Sequence, residues 1–342
     1  MATIIIATGR AVPSRRVGNS ELAQQIDTSD EWIRSHTGIG ARHIAGGETA
    51  CSDLALEAAR AALSMAIQGG MIREKTLEEL ALTVDMIILA STTADYIGTP
   101  STACIVQDKL GARNAGAMDL TAACSGFIYG LEIAAGLLAV AAERRRILVI
   151  GSEVLSRITN WNDRGTCILF GDGAGAVLVE KTAGEGPGRR GLLRTILGAD
   201  GSGAEDLIIR RGGSRNPYRA GETVDEPPHV EMNGRGIYTF AVKRATETIE
   251  RLLQAEGITI NDVDRIVPHQ ANARIVATAG KRLGIPEEKF FLNIEEYANT
   301  SAASIPIALD ELNRKGELRE GSLIMTIGFG GGLTYGGNLI RW

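Results

Sequence analysis

Residues 121–142 are dominated by alanine, glycine, leucine and isoleucine, and they stop at the charged run ERRR at 143–146. A helix that is apolar on every face has no side to offer water and must be enclosed. Residues 299–309 form a second such stretch, rich in small side chains. Two enclosed helices demand cover on both sides, which a layered fold with helices between sheets provides. The longest unbroken apolar run in the first stretch, 133–142, is too short to span a bilayer.

Elsewhere, short β-branched runs alternate with longer alanine- and leucine-rich ones. Residues 3–7, 86–90, 147–150, 176–179, 265–267 and 323–326 are predicted strands, and 52–68, 102–110, 126–142, 235–256, 273–283 and 302–315 are predicted helices. Such alternation predicts an α/β protein with covered sheets. A chain of 342 residues also exceeds what one core usually organises, so two domains are expected. The run VDMI at 84–87 is echoed by VDRI at 263–266. Each opens a unit of strand, polar loop, small-residue helix and second strand, ending at 147–151 and 323–328. Two packed copies would bring their polar loops to one crevice. The Gly-rich, charged stretch 183–191 is the expected seam between halves 1–182 and 183–342; a surface loop is the other reading of it.

With 44% apolar and 23% charged residues the chain is not disordered. Its 36 basic and 41 acidic side chains leave a net charge of −5, which offers no global attraction for nucleic acid. The first twelve residues lack a basic segment followed by a long apolar one, so no secretory signal is expected. Four cysteines without a C-x-x-C pair make neither a disulfide framework nor a zinc site. A reduced, cytoplasmic protein follows.

Cys124 lies in DLTAACSGF at 119–127, after a short strand and where the enclosed helix begins. It is either a small buried hydrophobe or a nucleophile, since a helix N-terminus favours the thiolate. His269, in VPHQAN at 267–272, sits at a strand's C-terminal end, where α/β folds gather their sites; an exposed loop histidine is the alternative. Asn299, in YANTSAAS at 297–304, either caps the following helix or aims its amide into the crevice. The glycine run GFGGGLTYG at 328–336 is a turn between strands or a source of bare backbone N–H donors for an oxyanion. FGDGAG at 170–175 precedes a strand instead of following one, so it is not a phosphate cradle.

Taken together, these segments resemble the β-ketoacyl-acyl-carrier-protein synthase III family of thiolase-fold enzymes over essentially the whole chain. The carriers are TSDEWI at 28–33 with TGI at 37–39, ACSGF at 123–127, DRGT at 163–166, FGDGAG at 170–175, PHQAN at 268–272, NTSAAS at 299–304 and GGG at 330–332. The resemblance implies a duplicated five-layer αβαβα fold, usually a homodimer. It implies a catalytic triad of Cys124, His269 and Asn299, with the backbone N–H groups of Cys124 and Gly331 as the oxyanion hole. Acyl-CoA would acylate Cys124, and malonyl-acyl-carrier protein would then be decarboxylated and condensed. No metal or redox cofactor is implied.

The third partner separates relatives: elongating synthases resemble Cys-His-His and thiolases Cys-His-Cys. Plant-type polyketide synthases share Cys-His-Asn but are longer and usually carry proline in the terminal glycine loop. A condensing or acyl-transferring enzyme of secondary metabolism is the alternative within the fold, and a non-catalytic acyl-CoA-binding homologue is one outside enzymes. Trp32 and Arg164 match the pair that sandwiches the CoA adenine, and Asn272 and Arg274 match the tunnel mouth. Arg274, Lys281 and Arg282 on one predicted helix are candidates for docking the acidic carrier protein. Two departures stand out. His36 replaces a common arginine, with Arg34 or Arg42 expected to compensate for CoA phosphates. Thr99 replaces a bulky aromatic that closes the acyl pocket across the dimer interface, implying a roomier pocket for longer or branched primers. The stretch 68–82 is longer than usual and has no functional reading.

Overall fold

The computed structural model describes residues 2–70, 72–183, 189–224 and 227–342. Its first main sheet runs Ala2–Ala11, Gly173–Thr182, Arg146–Glu153, Met86–Ala90, Gly116–Leu120. The first two junctions are antiparallel and the last two parallel. The second sheet runs Gly191–Ala199, Thr334–Arg341, Leu323–Gly330, Arg265–Pro268, again with two antiparallel junctions and then a parallel one. Where the first sheet has a fifth strand, the second has a single parallel bridge between Ile266 and Phe290. Strand order and direction therefore repeat, as the VDMI/VDRI echo predicts.

The echo has a physical cause. Asp85 donates its amide to the Arg146 carbonyl (2.9 Å) while its carboxylate accepts from the Arg146 amide (2.9 Å). Asp264 does the same with Leu323, at 2.8 and 2.7 Å. In both halves the aspartate pins the start of the neighbouring parallel strand and so sets its register. Of the seam at 183–191, residues 184–188 lie outside the described residues; Gly191 opens the strand Gly191–Ala199, which the sequence reading missed.

Five layers result. Helices Cys51–Gln68 and Thr102–Leu110 cover the outer face of the first sheet through Leu54, Ala58, Leu63 and Val106. Helices Gly234–Glu256 and Ala273–Leu283 cover the second through Val242, Ile249 and Ile275. Between the sheets lie Gly126–Val140 and Ser304–Arg314, whose Phe127, Leu131, Ile305 and Leu309 pack with Ile88 and Val149 of one sheet and Val267 and Ile324 of the other. Enclosure holds closely for Ser304–Arg314, where every residue from Ser304 to Asp310 is buried. It holds only partly for the first helix, which leaves Glu132, Gly136, Ala139 and Val140 exposed. Taken with its 3₁₀ start, Ala123–Val140 is long and apolar enough to cross a membrane by length and composition, which corrects the shorter count from 133; half of it is buried inside the fold.

The long stretch 68–82 has a structural account. Glu74 pairs with Arg146 at 2.7 Å, and Arg146 also donates to the Thr83 hydroxyl at 2.8 Å. The segment thereby braces the first residue of Arg146–Glu153. Met71 lies outside the described residues.

Candidate active site

Cys124 sits in a 3₁₀ turn, Ala123–Ser125, between the strand Gly116–Leu120 and the helix Gly126–Val140. Ala123 is held at φ 44°, a left-handed conformation that costs a non-glycine residue roughly 1–3 kcal/mol. The surroundings enforce it: the Thr334 hydroxyl lies 2.9 Å from the Ala122 carbonyl and 3.0 Å from that of Gly331, and Ser125 Oγ donates to Thr334 at 2.8 Å. The glycine loop is thus tied to the helix start. Gly330 is required there, because a Cβ would fall 2.7 Å from the Cys124 amide nitrogen and 3.2 Å from its sulfur. Gly330→Ala is expected to displace Cys124 and to cut its acylation ~100-fold, since a shift of about 1 Å in a reacting group costs that much. Thioester-dependent labelling of Cys124 in the folded variant checks it.

The helix N-terminus does not make Cys124 a resting thiolate. Burial pushes its thiol up to about 12, helped by the nearby Glu153 carboxylate, against opposing hydrogen bonds from Ser301 and its own amide. Burial thus works against the thiolate that a helix N-terminus favours. The other cysteines also differ by environment, Cys51 and Cys167 being buried and Cys104 exposed.

His269 follows the strand Arg265–Pro268 and is 1% exposed, which removes the loop-histidine alternative. Burial pushes it down to about 3, so the ring is neutral at pH 7. Its Nδ1 lies 2.7 Å from Ser304 Oγ, and its ring meets Phe329 edge-on at 5.6 Å. Asn299 is buried and held on both sides by backbone, its amide donating to the Leu169 carbonyl and its carbonyl accepting from Gly171. Glycine at 171 allows that approach; a Cβ would lie 2.7 Å from the Tyr297 carbonyl oxygen. Asn299 Oδ1 accepts from the Ser301 amide at 2.9 Å. That bond orients the side chain so that Nδ2, the donor end, is left for the cavity. The helix-capping expectation is not met: the helical turns that follow have Thr300 and Ala303 as N-caps without side-chain bonds, and the Asn299 side chain closes only a local turn onto Ser301.

All three groups line one cavity of about 750 Å³, together with Gly331, Trp32, Arg164 and Asn272. Its apolar wall includes Phe170, Leu207, Ile209, Val230 and Phe329. Leu207, Ile208, Ile209, Val230 and Met232 of the wall belong to a two-stranded ribbon, 207–209 paired with 230–232, that the sequence reading did not include; the apolar triplet at 207–209 was the signal for it. Among the described residues no group of three or more His, Cys, Asp or Glu side chains is placed to hold a metal ion.

Other expected positions fare differently. Trp32 and Arg164 face each other directly, guanidinium carbon 4.2 Å from the indole centroid, in a cation–π contact. An adenine between them therefore requires Arg164 to swing aside. The His36 ring stacks on Trp32 at 4.3 Å with Nδ1 2.8 Å from the Trp32 carbonyl. Neither arginine proposed to compensate for it is free: Arg34 is paired with Asp30 (2.9 Å) and Glu295 (2.6 Å), and Arg42 is fully buried on Asn19 and the Ile168 carbonyl. Asn272 spends both ends of its amide, capping Arg274 and donating to the His36 carbonyl at 3.1 Å. Arg274, Lys281 and Arg282 share the helix Ala273–Leu283 and are exposed. Thr99 is exposed and outside the cavity wall, to which its neighbours Tyr96, Ile97 and Gly98 contribute. Its size therefore does not set the cavity volume within one chain; the pocket that this position is expected to close lies across a dimer interface.

The comparisons agree with this architecture. Family models described as 3-oxoacyl-[acyl-carrier-protein (ACP)] synthase III and its C-terminal part match residues 118–201 and 253–342. A β-ketoacyl-[acyl-carrier-protein] synthase III of Clostridium acetobutylicum is 44% identical over 99% of this chain and 98% of its own. The crystal structure of 3-oxoacyl-[acyl-carrier-protein] synthase III from Aquifex aeolicus superposes with a TM-score of 0.87 at 40% identity, covering 99% of this chain and 100% of that one. A priming β-ketosynthase from the R1128 polyketide pathway superposes at 0.86 with 32% identity, covering 99% and 96%. With such similarity running the length of a duplicated thiolase-like fold, the chain belongs to the β-ketoacyl-acyl-carrier-protein synthase III family.

Proposed function

We propose that the protein primes type II fatty acid synthesis by moving an acyl group from CoA onto Cys124 and condensing it with malonyl-acyl-carrier protein. The observation that carries this reading is one apolar-walled cavity shared by a buried thiol, a neutral imidazole and a carboxamide with its donor end free. Cys124 loses its proton as it attacks the thioester carbonyl, and that proton ends on the departing CoA sulfur. The Cys124 and Gly331 amides stabilise the oxyanion. Malonyl thioester then loses CO₂, and its enolate oxygen takes hydrogen bonds from His269 Nε2–H and Asn299 Nδ2–H. The carbanion attacks acyl-Cys124, giving 3-oxoacyl-carrier protein and expelling the Cys124 thiolate, which takes up a proton from water to return to the thiol. Both steps as written use neither a metal nor a redox cofactor.

Trp32 and Arg164 line the same cavity and bracket the CoA end, and Asn272 shapes the mouth. The exposed cations Arg274, Lys281 and Arg282 suit an acidic carrier protein. The chain functions as a homodimer in the cytoplasm, divided into halves 1–182 and 183–342. Supporting a dimer, Gly116–Leu120 is an edge strand, and Tyr96 and Ile97 at the cavity wall are 57% and 76% exposed.

Radiolabelled acyl-CoA supplied with malonyl-carrier protein tests the reading. Labelled 3-oxoacyl-carrier protein is the expected product; acylated Cys124 without condensation would favour the secondary-metabolism alternative, to which the 32% identical polyketide-priming enzyme points. A pH prediction follows from His269. With its folded value near 3, well below the usual 6.5, the ring stays unprotonated as pH falls through the ordinary histidine range. Malonyl decarboxylation is expected to hold level from about pH 8 to 5, without a histidine limb near 6.5. Stopped assays of CO₂ release across that range check it.

A further inference from the structure

We infer that Ser304 is a positioning residue that holds His269 in the Nε2–H tautomer. This inference rests on the reading of His269 as an enolate donor. Ser304 Oγ lies 2.7 Å from His269 Nδ1, and both residues are buried, at 2% and 1% exposure. The Gln270 N–H points at the same hydroxyl oxygen, at 3.5 Å. The hydroxyl could accept from both, but its own hydrogen then has no acceptor among the described residues other than Nδ1, and a buried O–H left unpaired is costly, so it donates to Nδ1. A nitrogen that accepts carries no proton, so a neutral ring carries it on Nε2. Among the described residues His269 Nε2 makes no hydrogen bond, while His269 lines the catalytic cavity. In the opposite tautomer Ser304 would accept from Nδ1–H, and the Nε2 lone pair would face, and repel, a developing enolate oxygen. Ser304 opens the enclosed helix Ser304–Arg314, so the same helix start that follows Asn299 also orients the imidazole.

The test combines nitrogen-15 NMR of histidine-labelled protein, assigned by the loss of signals in His269→Gln, with separate assays of Cys124 acylation and malonyl decarboxylation. Wild type is expected to show the Nε2–H pattern. Ser304→Ala is expected to populate Nδ1–H and to slow decarboxylation ~10- to 100-fold, slowing acylation far less; outer partners of a functional imidazole carry effects of this size. Ser304→Thr, which keeps the hydroxyl, restores both the tautomer and the rate. A Ser304→Ala protein that keeps a pure Nε2–H ring overturns the inference. A tautomer that shifts as expected while neither Ser304→Ala nor His269→Gln slows decarboxylation supports the Ser304 assignment and removes the enolate-donor role instead.

Discussion

Cys124→Ala is expected to abolish acyl transfer from CoA, with a loss of at least about 10⁴-fold, because Cys124 is the one thiol among the described residues that line the cavity. Among the other cysteines, Cys51 and Cys167 belong to packed cores and do not line the cavity, and Cys104 lies on the outer helix Thr102–Leu110. None replaces it. Alanine is smaller than cysteine and suits the turn, where neighbouring positions 122 and 123 are already alanine, so the fold is expected to persist. Mass spectrometry of the protein after acyl-CoA treatment reads the outcome directly: an unmodified variant beside an acylated wild type. Acylation persisting in Cys124→Ala would remove the nucleophile assignment.

His269→Ala and Asn299→Ala are expected to separate the two half-reactions. Each removes one donor to the enolate oxygen, and loss of one such donor costs ~10²–10³-fold, about 3–4 kcal/mol of transition-state stabilisation. Decarboxylation of malonyl-carrier protein should fall by that factor in either variant, while acylation of Cys124 falls much less. The two losses are not expected to multiply, since both donors serve one oxygen and the second is mispositioned once the first is gone. For Asn299 the backbone pairing with Leu169 and Gly171 does not depend on the side chain, so the segment keeps its place. Radiolabelled CO₂ release measured beside acylation distinguishes this split from a general loss of structure; condensation retained at wild-type rate in either variant would contradict the enolate-donor assignment.

Much of the layered fold was legible because the signals are local. The helices 102–110 and 273–283 and the strand 86–90 match residue for residue, since their apolar periodicity and β-branched runs are properties of a few adjacent residues. The aspartate echo was legible because one carboxylate does the same job in each half. The strand Gly191–Ala199 escaped, its alternation being interrupted by Arg194 and by glycine at 191 and 198. The candidate cysteine, histidine and asparagine were recognisable as residue types at element ends. Ser304 belongs to the motif NTSAAS at 299–304, but nothing in a serine at a helix start distinguishes a cap from a partner to a distant imidazole.

What the amino-acid order determined by itself is the alternation of elements, the duplication, the helices that need cover, and the presence of a soft nucleophile and polar donors at element ends. The tertiary structure alone decided which of those groups face one cavity, that Cys124 rests as a thiol and His269 as a neutral ring, that Trp32 and Arg164 cover each other, and that Arg34 and Arg42 are occupied. The physical reason is range. Propensity and periodicity act over a few residues, whereas ionisation, stacking and hydrogen-bond partnership depend on how much water is excluded and on which distant segments the two sheets bring together.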